Sequence, residues 1–173
     1  MRITTERLAL EPISLDYLES TYAYASDLET TRYMCFYPHD SIEETRAFIE
    51  SAVEEWGKAR PGRCEFVVLA EGRHIGGITL DRLEDGSVDL AWIMNKQYWG
   101  RGYATEAAKA AMAWGRDNVG MHRFVAMCDS ENERSWRLME RLGMRRVPGV
   151  GKRKNRSSDE ERLEITYETV FDE

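Results

Sequence analysis

Gln97-Tyr98-Trp99-Gly100-Arg101-Gly102-Tyr103-Ala104-Thr105-Glu106-Ala107 is a glycine-rich turn that runs directly into an alanine-rich helical pattern. The first N–H groups of a helix have no partners inside it and carry the positive end of its dipole, so this junction is built to receive an anion such as a phosphate. Glycines at 100 and 102 allow left-handed angles and a close backbone approach that a side chain would hinder. A dinucleotide fingerprint would require a third glycine where Thr105 stands, and a nucleoside-triphosphate loop would require Gly-Lys-Ser/Thr; neither is present.

Outward from that turn, the chain reads as alternating elements. Val88–Met94, His74–Leu80 and Phe66–Ala70, separated by Glu84-Asp85-Gly86 and Glu71-Gly72, form an antiparallel meander that feeds the turn. Upstream, Leu8–Pro12 reads as a first strand, followed by a helix from Ser14 that carries Leu18, Thr21, Tyr22 and Ala25. Ser41 and Glu44 form a capping box for a second helix, whose buried stripe is Phe48, Ile49, Ala52, Val53 and Trp56. Asp27 to Asp40 has no clean period and reads as an ordered loop. Downstream, the helix beginning near Tyr103 ends around Asn118 to Gly120, and Arg123–Cys128 is a strand. Ser130 and Glu133 cap a helix that Gly143 terminates, and Arg162–Phe171 is a closing strand. The expected class is α/β with a mixed sheet, helices on both faces, and residues 1–173 in one domain.

Composition limits the chemistry. The 173 residues are enough for a core without staples, and Cys35, Cys64 and Cys128 are too few and too scattered for a disulfide framework or a zinc site. His39, His74 and His122 have no metal-ligand spacing, so no metal is expected. With no signal-peptide pattern and no apolar run of the ~18 residues that a membrane span needs, a cytoplasmic protein without a membrane partner is expected. A net charge of −7 argues against nucleic acid and favours a cationic partner such as an amine. The basic run of Arg145, Arg146, Lys152, Arg153, Lys154 and Arg156 goes the other way. It reads as a solvated, partly mobile loop, with contacts to cofactor phosphates or an acidic partner as the alternative. Tyr33, Phe36, Tyr37 and Trp56 are candidates to line an acceptor cleft, against the plainer reading of core packing.

Gln97, Gly100 and Gly102 fill the pattern Arg/Gln-x-x-Gly-x-Gly/Ala. With it, the element order resembles the GNAT N-acetyltransferases over nearly the whole chain. The branch is similar to the N-terminal alanine acetyltransferases of ribosomal proteins, on Arg7-Leu8-x-Leu10-x-Pro12 and on Tyr98-Trp99-Gly100-x-Gly102-Tyr103-Ala104-Thr105-Glu106-Ala107. The resemblance implies a GNAT-like fold whose fourth and fifth strands splay, acetyl-CoA as cofactor, and an amine as acceptor. It assigns the pyrophosphate to Gln97 and to Gly100, Arg101, Gly102, Tyr103, Ala104 and Thr105, and the pantetheine arm to the backbone of Trp92, Ile93 and Met94. Asn132 would contact the cofactor and Ser135 would lie near its sulfur, while Asp89 stands where relatives place a glutamate proposed as base. Met139 occupies the position of the tyrosine acid in many relatives, so Ser135 is the expected proton donor to the thiolate. These departures keep open a catalytically inactive CoA-binding sensor, and the assembly is open between monomer and homodimer.

Overall fold

A computed structural model describes residues 1–36, 38–156 and 158–171. One mixed sheet carries the strands β1 (Ile3–Thr4), β2 (Leu8–Pro12), β3 (Arg63–Ala70), β4 (Arg73–Arg82), β5 (Val88–Met94), β6 (Arg123–Asp129), β7 (Arg145–Arg146), β8 (Gly151–Arg153) and β9 (Arg162–Val170). Their spatial order is β1-β2-β3-β4-β5-β6-β9-β7, with β8 also paired to β9. Neighbours are antiparallel except β5 and β6, which run parallel and pair only at Val88 with Phe124 and Asp89 with Val125. Beyond Asp89 these two strands part. Because the two-residue β1 precedes the expected first strand, this is the expected splay between fourth and fifth strands.

Helices α1 (Leu18–Ala25) and α2 (Ile42–Trp56) cover one face, and α3 (Tyr103–Val119) and α4 (Glu133–Arg141) the other. Side chains alternate across a strand, so each sheet position commits to one of two cores. Ala9, Val67 and Leu69 meet Leu18, Ile49 and Ala52 on the α1/α2 face. Phe66, Ile78, Leu80, Leu90 and Phe124 meet Ala107, Ala108, Ala111 and Met139 on the α3/α4 face. The alanines of α3 thus let the helix lie close to the sheet, and the aromatic stack of Trp56, Phe66 and Trp114 seals one side. Burying that many apolar side chains, at ~1.5–3 kcal/mol each, is the dominant stabilising term.

Several expectations change in detail. Residues 15–17 form a 3-10 turn, and α1 begins at Leu18. Ser41 Oγ accepts from Glu44 N at 3.3 Å, but the Glu44 carboxylate reaches back to Asp40 N rather than Ser41 N. Val53 is 43% exposed and lies off the buried stripe. Asn132, not Ser130, caps α4, because the helix begins only at Glu133 and Asn132 Oδ1 accepts from Ser135 N at 3.3 Å. Residues 27–36 are ordered by turns, with Asp27 accepting from Thr30 N at 2.7 Å. The basic run is not a free loop, since β7 and β8 pair with β9 and the Arg153 side chain is only 7% exposed.

Candidate active site

The splay of β5 from β6 opens a cleft of about 860 Å³. One wall is the end of β5, the glycine-rich turn and the first turn of α3; the second is α4; the third is loop 29–34.

The α3 wall is shaped by two left-handed glycines, Gly100 at φ 76° and Gly102 at φ 78°. Gly102 is the N-cap of α3 and brings no side chain to cap it. The first backbone bond of the helix is Glu106 N to Gly102 O, at 3.1 Å. Among the described residues, the N–H groups of Tyr103, Ala104 and Thr105 therefore have no protein acceptor, and all three residues line the cleft. A buried or half-buried donor left without a partner costs ~1–3 kcal/mol, which an anion or water at this position recovers.

The turn is braced from the other end of the chain. The Glu106 carboxylate accepts from Thr5 Oγ1 at 2.6 Å, Arg7 N at 2.9 Å and Arg7 Nε at 2.7 Å. Arg7 also donates to Arg101 O at 3.0 Å and lies over the Tyr103 ring at 4.8 Å. Partial burial pushes the Glu106 carboxyl up, but these hydrogen bonds and the Arg7 charge outweigh it and hold it below the usual carboxylate range. This splint gives a physical role to Arg7, which the sequence marked only as part of a signature.

On the β5 side, Trp92, Ile93 and Met94 line the cleft, and Trp99 Nε1 donates to Met94 O at 2.8 Å, tying the strand end to the turn. On α4, Asn132 Oδ1 accepts from Ser135 N at 3.3 Å while both residues face the cleft. The Ser135 hydroxyl has no partner among the described residues and is available to a ligand. Met139 is fully buried in the α3/α4 core and presents nothing to the cleft.

The structure brings most of the expected cofactor residues together, with Tyr33 from the acceptor set on the opposite wall. It leaves others out. Gln97 uses its N–H on Asn95 Oδ1, and Arg101 stacks over Tyr98; neither lines the cleft. Trp56 is a core residue whose Nε1 donates to Glu65 O at 2.8 Å, and Phe36 turns toward His39 away from the cleft. Tyr37 lies outside the described residues. Asp89 sits on the face of Ala91 and Ile93, as alternation demands, yet it is not among the residues that line the cleft, with Asp81 opposite on β4 and Arg153 and Glu164 within electrostatic range. Burial pushes its carboxyl up to about 6, Asp81 and Glu164 push it the same way, and Arg153 opposes them.

A stripe of arginines on α4 was not singled out from sequence. Arg134, Arg137 and Arg141 line the cleft; Arg134 lies 4.6 Å from the Trp99 ring centroid, and Arg141 Nε donates to Thr105 Oγ1 at 3.4 Å. Their spacing of three and four residues puts them on one helical face, and that spacing was the available signal.

Comparison with known proteins places this geometry. A family model for the acetyltransferase (GNAT) domain matches residues 7–145. The chain is 30% identical over 149 residues, 84% of each chain, to the uncharacterized N-acetyltransferase YnaD of Bacillus subtilis. It is 24% identical over 136 residues to the spermidine N(1)-acetyltransferase of Escherichia coli, covering 78% of this chain and 70% of the relative. Its fold matches RimL, a ribosomal L7/L12 alpha-N-protein acetyltransferase solved with coenzyme A, at a TM-score of 0.86, 14% identity and 98% of each chain. Among the described residues no helix is long and apolar enough to cross a membrane.

Proposed function

The chain belongs to the GNAT acetyltransferase family, and from that premise we propose that it transfers the acetyl group of acetyl-CoA to a primary amine by direct attack in a ternary complex. The observation that carries this reading is the start of α3, where three unpartnered N–H groups face a cleft that continues along the splayed edge of β5. Acetyl-CoA supplies the activated thioester carbonyl. Gly100 to Thr105 hold the pyrophosphate, the α4 arginines lend positive charge beside it, and the backbone of Trp92 to Met94 guides the pantetheine arm toward Ser135 and Asn132. A main-chain N–H of β5 stabilises the oxyanion, since preorganised donors in a partly dry site are the largest catalytic term. The Ser135 hydroxyl donates a hydrogen bond to the departing thiolate and relays to it a proton taken up from water, so that the hydroxyl is restored. Asp89, with its raised pKa, takes the amine proton through water.

The acceptor is a protein N-terminus or a small-molecule amine. The Escherichia coli relative is named for spermidine and RimL for a ribosomal protein terminus; the chemistry common to both is a primary amine. The chain acts as a single cytoplasmic domain. A second reading, a CoA-binding module without turnover, is favoured by the burial of Met139 and by the place of Asp89 outside the cleft lining. Mass spectrometry of spermidine and of alanine- and serine-initiated peptides incubated with acetyl-CoA separates the two. Acetylated product is expected; tight CoA binding with no transfer to any of them would leave the sensor reading standing.

A further inference from the structure

The cofactor side of the cleft is rigid by construction, being strand end, helix start and Arg7 splint. The opposite wall is loop 27–36, with no regular secondary structure of its own. Something else must hold it at a set distance from the cofactor side. Lys96, just ahead of the glycine-rich turn, ties its first residues through Asp27 at 2.7 Å and Glu29 at 3.3 Å, and the side chain that holds its far part, Tyr33 to Cys35, comes from the basic run.

Arg153 leaves the short strand β8 and is 7% exposed. Its Nη2 donates to Tyr33 O and to Cys35 Sγ, both at 2.8 Å, its Nη1 pairs with Glu164 at 3.3 Å, and its Nε donates to Asn155 Oδ1 at 3.0 Å. Asn155, itself 8% exposed, donates to Asp129 Oδ2 at 2.6 Å. Asp129 is fully buried at the end of β6, accepts from Arg162 Nε at 3.0 Å, and through Oδ1 accepts from Glu131 N at 2.8 Å. Its carbonyl accepts from Asn132 N at 2.9 Å, at the start of α4. An unbroken series of hydrogen bonds therefore runs from the acceptor-side loop to the residue that caps the cofactor helix. Arg156 adds two more anchors, N to Met34 O at 2.8 Å and Nη1 to Leu28 O at 3.0 Å.

Burying a guanidinium costs several kcal/mol unless its donors are satisfied, and here all three nitrogens are engaged. A planar fork spreads its donors to a backbone carbonyl, a carboxylate and an amide on different sides; the compact ammonium of a lysine reaches fewer of them. An anchor of this type matters because a displacement of ~1 Å between reacting groups can cost about a hundredfold in rate.

We propose that Arg153, held by Asn155 and Asp129, is the positioning residue that sets loop 28–36 against the start of α4 and so fixes where the acceptor amine stands relative to the thioester. This rests on the acyl-transfer reading of the cleft. The test compares Arg153→Met, Arg153→Lys and the unaltered chain. Three measurements are made: amide hydrogen exchange of residues 28–36 without ligand, CoA affinity by calorimetry, and kinetics with spermidine or an alanine-initiated peptide. For Arg153→Met, exchange in 28–36 should rise by about tenfold or more while α3 amides stay protected. The acceptor kcat/KM should fall by about tenfold or more, with CoA affinity within about threefold of the unaltered chain. Arg153→Lys should recover part of the loss through Tyr33 O. If Arg153→Met does not fold, Asn155→Ala, which frees Nε but keeps the charge pair with Glu164, should show the same pattern more weakly. A folded variant with unchanged exchange in 28–36 and unchanged acceptor kcat/KM would overturn the proposal. If the unaltered chain does not bind CoA, the acyl-transfer reading fails on its own, and the ligand-free exchange still decides whether Arg153 holds the loop.

Discussion

The cofactor wall and the acceptor wall of the cleft are built by different means. The cofactor wall is local: a strand, a turn with two left-handed glycines and a helix start, all within residues 88–106. The acceptor wall is assembled from segments far apart in the chain, loop 27–36, the 151–156 segment and the end of β6, joined by buried polar bonds. A local wall keeps its shape whenever its own backbone angles are allowed. A composite wall depends on each partner, so it can be retuned by single side chains remote from the cofactor grip, which it meets directly where Lys96 pairs with Asp27 and Glu29.

The comparison breaks first at Gly102. A Cβ added there would meet only Arg7 Nη2, at an ordinary 3.5 Å, so space is not the obstacle. The obstacle is φ 78°, which a β-branched residue adopts only with strain, and relief of that strain would turn the N–H groups of residues 103–105 away from the cleft. Gly102→Val should weaken CoA by about a hundredfold or more, whereas Gly102→Asn, tolerant of left-handed angles, should stay within about threefold. Calorimetry with CoA reads both. Equal affinity for the valine variant would mean that the turn does not hold the diphosphate.

A milder break is Arg7→Ala. Exposed ion pairs contribute ~0–1 kcal/mol to stability, so the melting transition should barely move. The same change removes the donors to Glu106 and Arg101 O and the cover on Tyr103, so the turn loses its brace. CoA affinity should drop by about fivefold with no change in the acceptor KM. The opposite pattern, a raised acceptor KM with CoA unaffected, would show that the two walls are not mechanically separate.

How far the sequence could be read follows the same division. The meander, the α3 start and the α2 cap depend on neighbours within a few positions, and periodicity and capping rules find them. Ser130 and Asn132 both satisfy the local rule for the cap of α4, and the choice follows from where the chain leaves β6 and the helix starts, at Glu133. The run 145–156 looked like solvated charge because its satisfying groups, Asp129, Glu164 and the carbonyls of Leu28, Tyr33 and Met34, lie elsewhere in the sequence. For Trp56 core packing is the plainer reading of the sequence, and its contacts with Phe66 and Trp114 place it there.

Asp89 sharpens the comparison with the smallest effect, since it is not among the residues that line the cleft. Burial raises its carboxyl to about 6 from an ordinary 3.8, so folding favours the protonated form. That contribution is fully present below the ordinary value and is lost as pH climbs through about 6. Asp89→Asn, which cannot ionise, should therefore gain on the unaltered chain as pH rises from 4 to 8. After allowance for solvent at its exposed edge, the gain should be about 1 kcal/mol, read from urea midpoints at the two pH values. A difference that does not change with pH would mean that the carboxyl is as well solvated as a surface acid, and then it has no raised pKa to bring to the amine. If it does serve as base, kcat/KM falls below a pH of about 6 in the unaltered chain, and the asparagine variant loses that limb. Arg153 couples this test to the acceptor wall: its charge opposes the rise at Asp89, so Arg153→Met should move the same limb to higher pH.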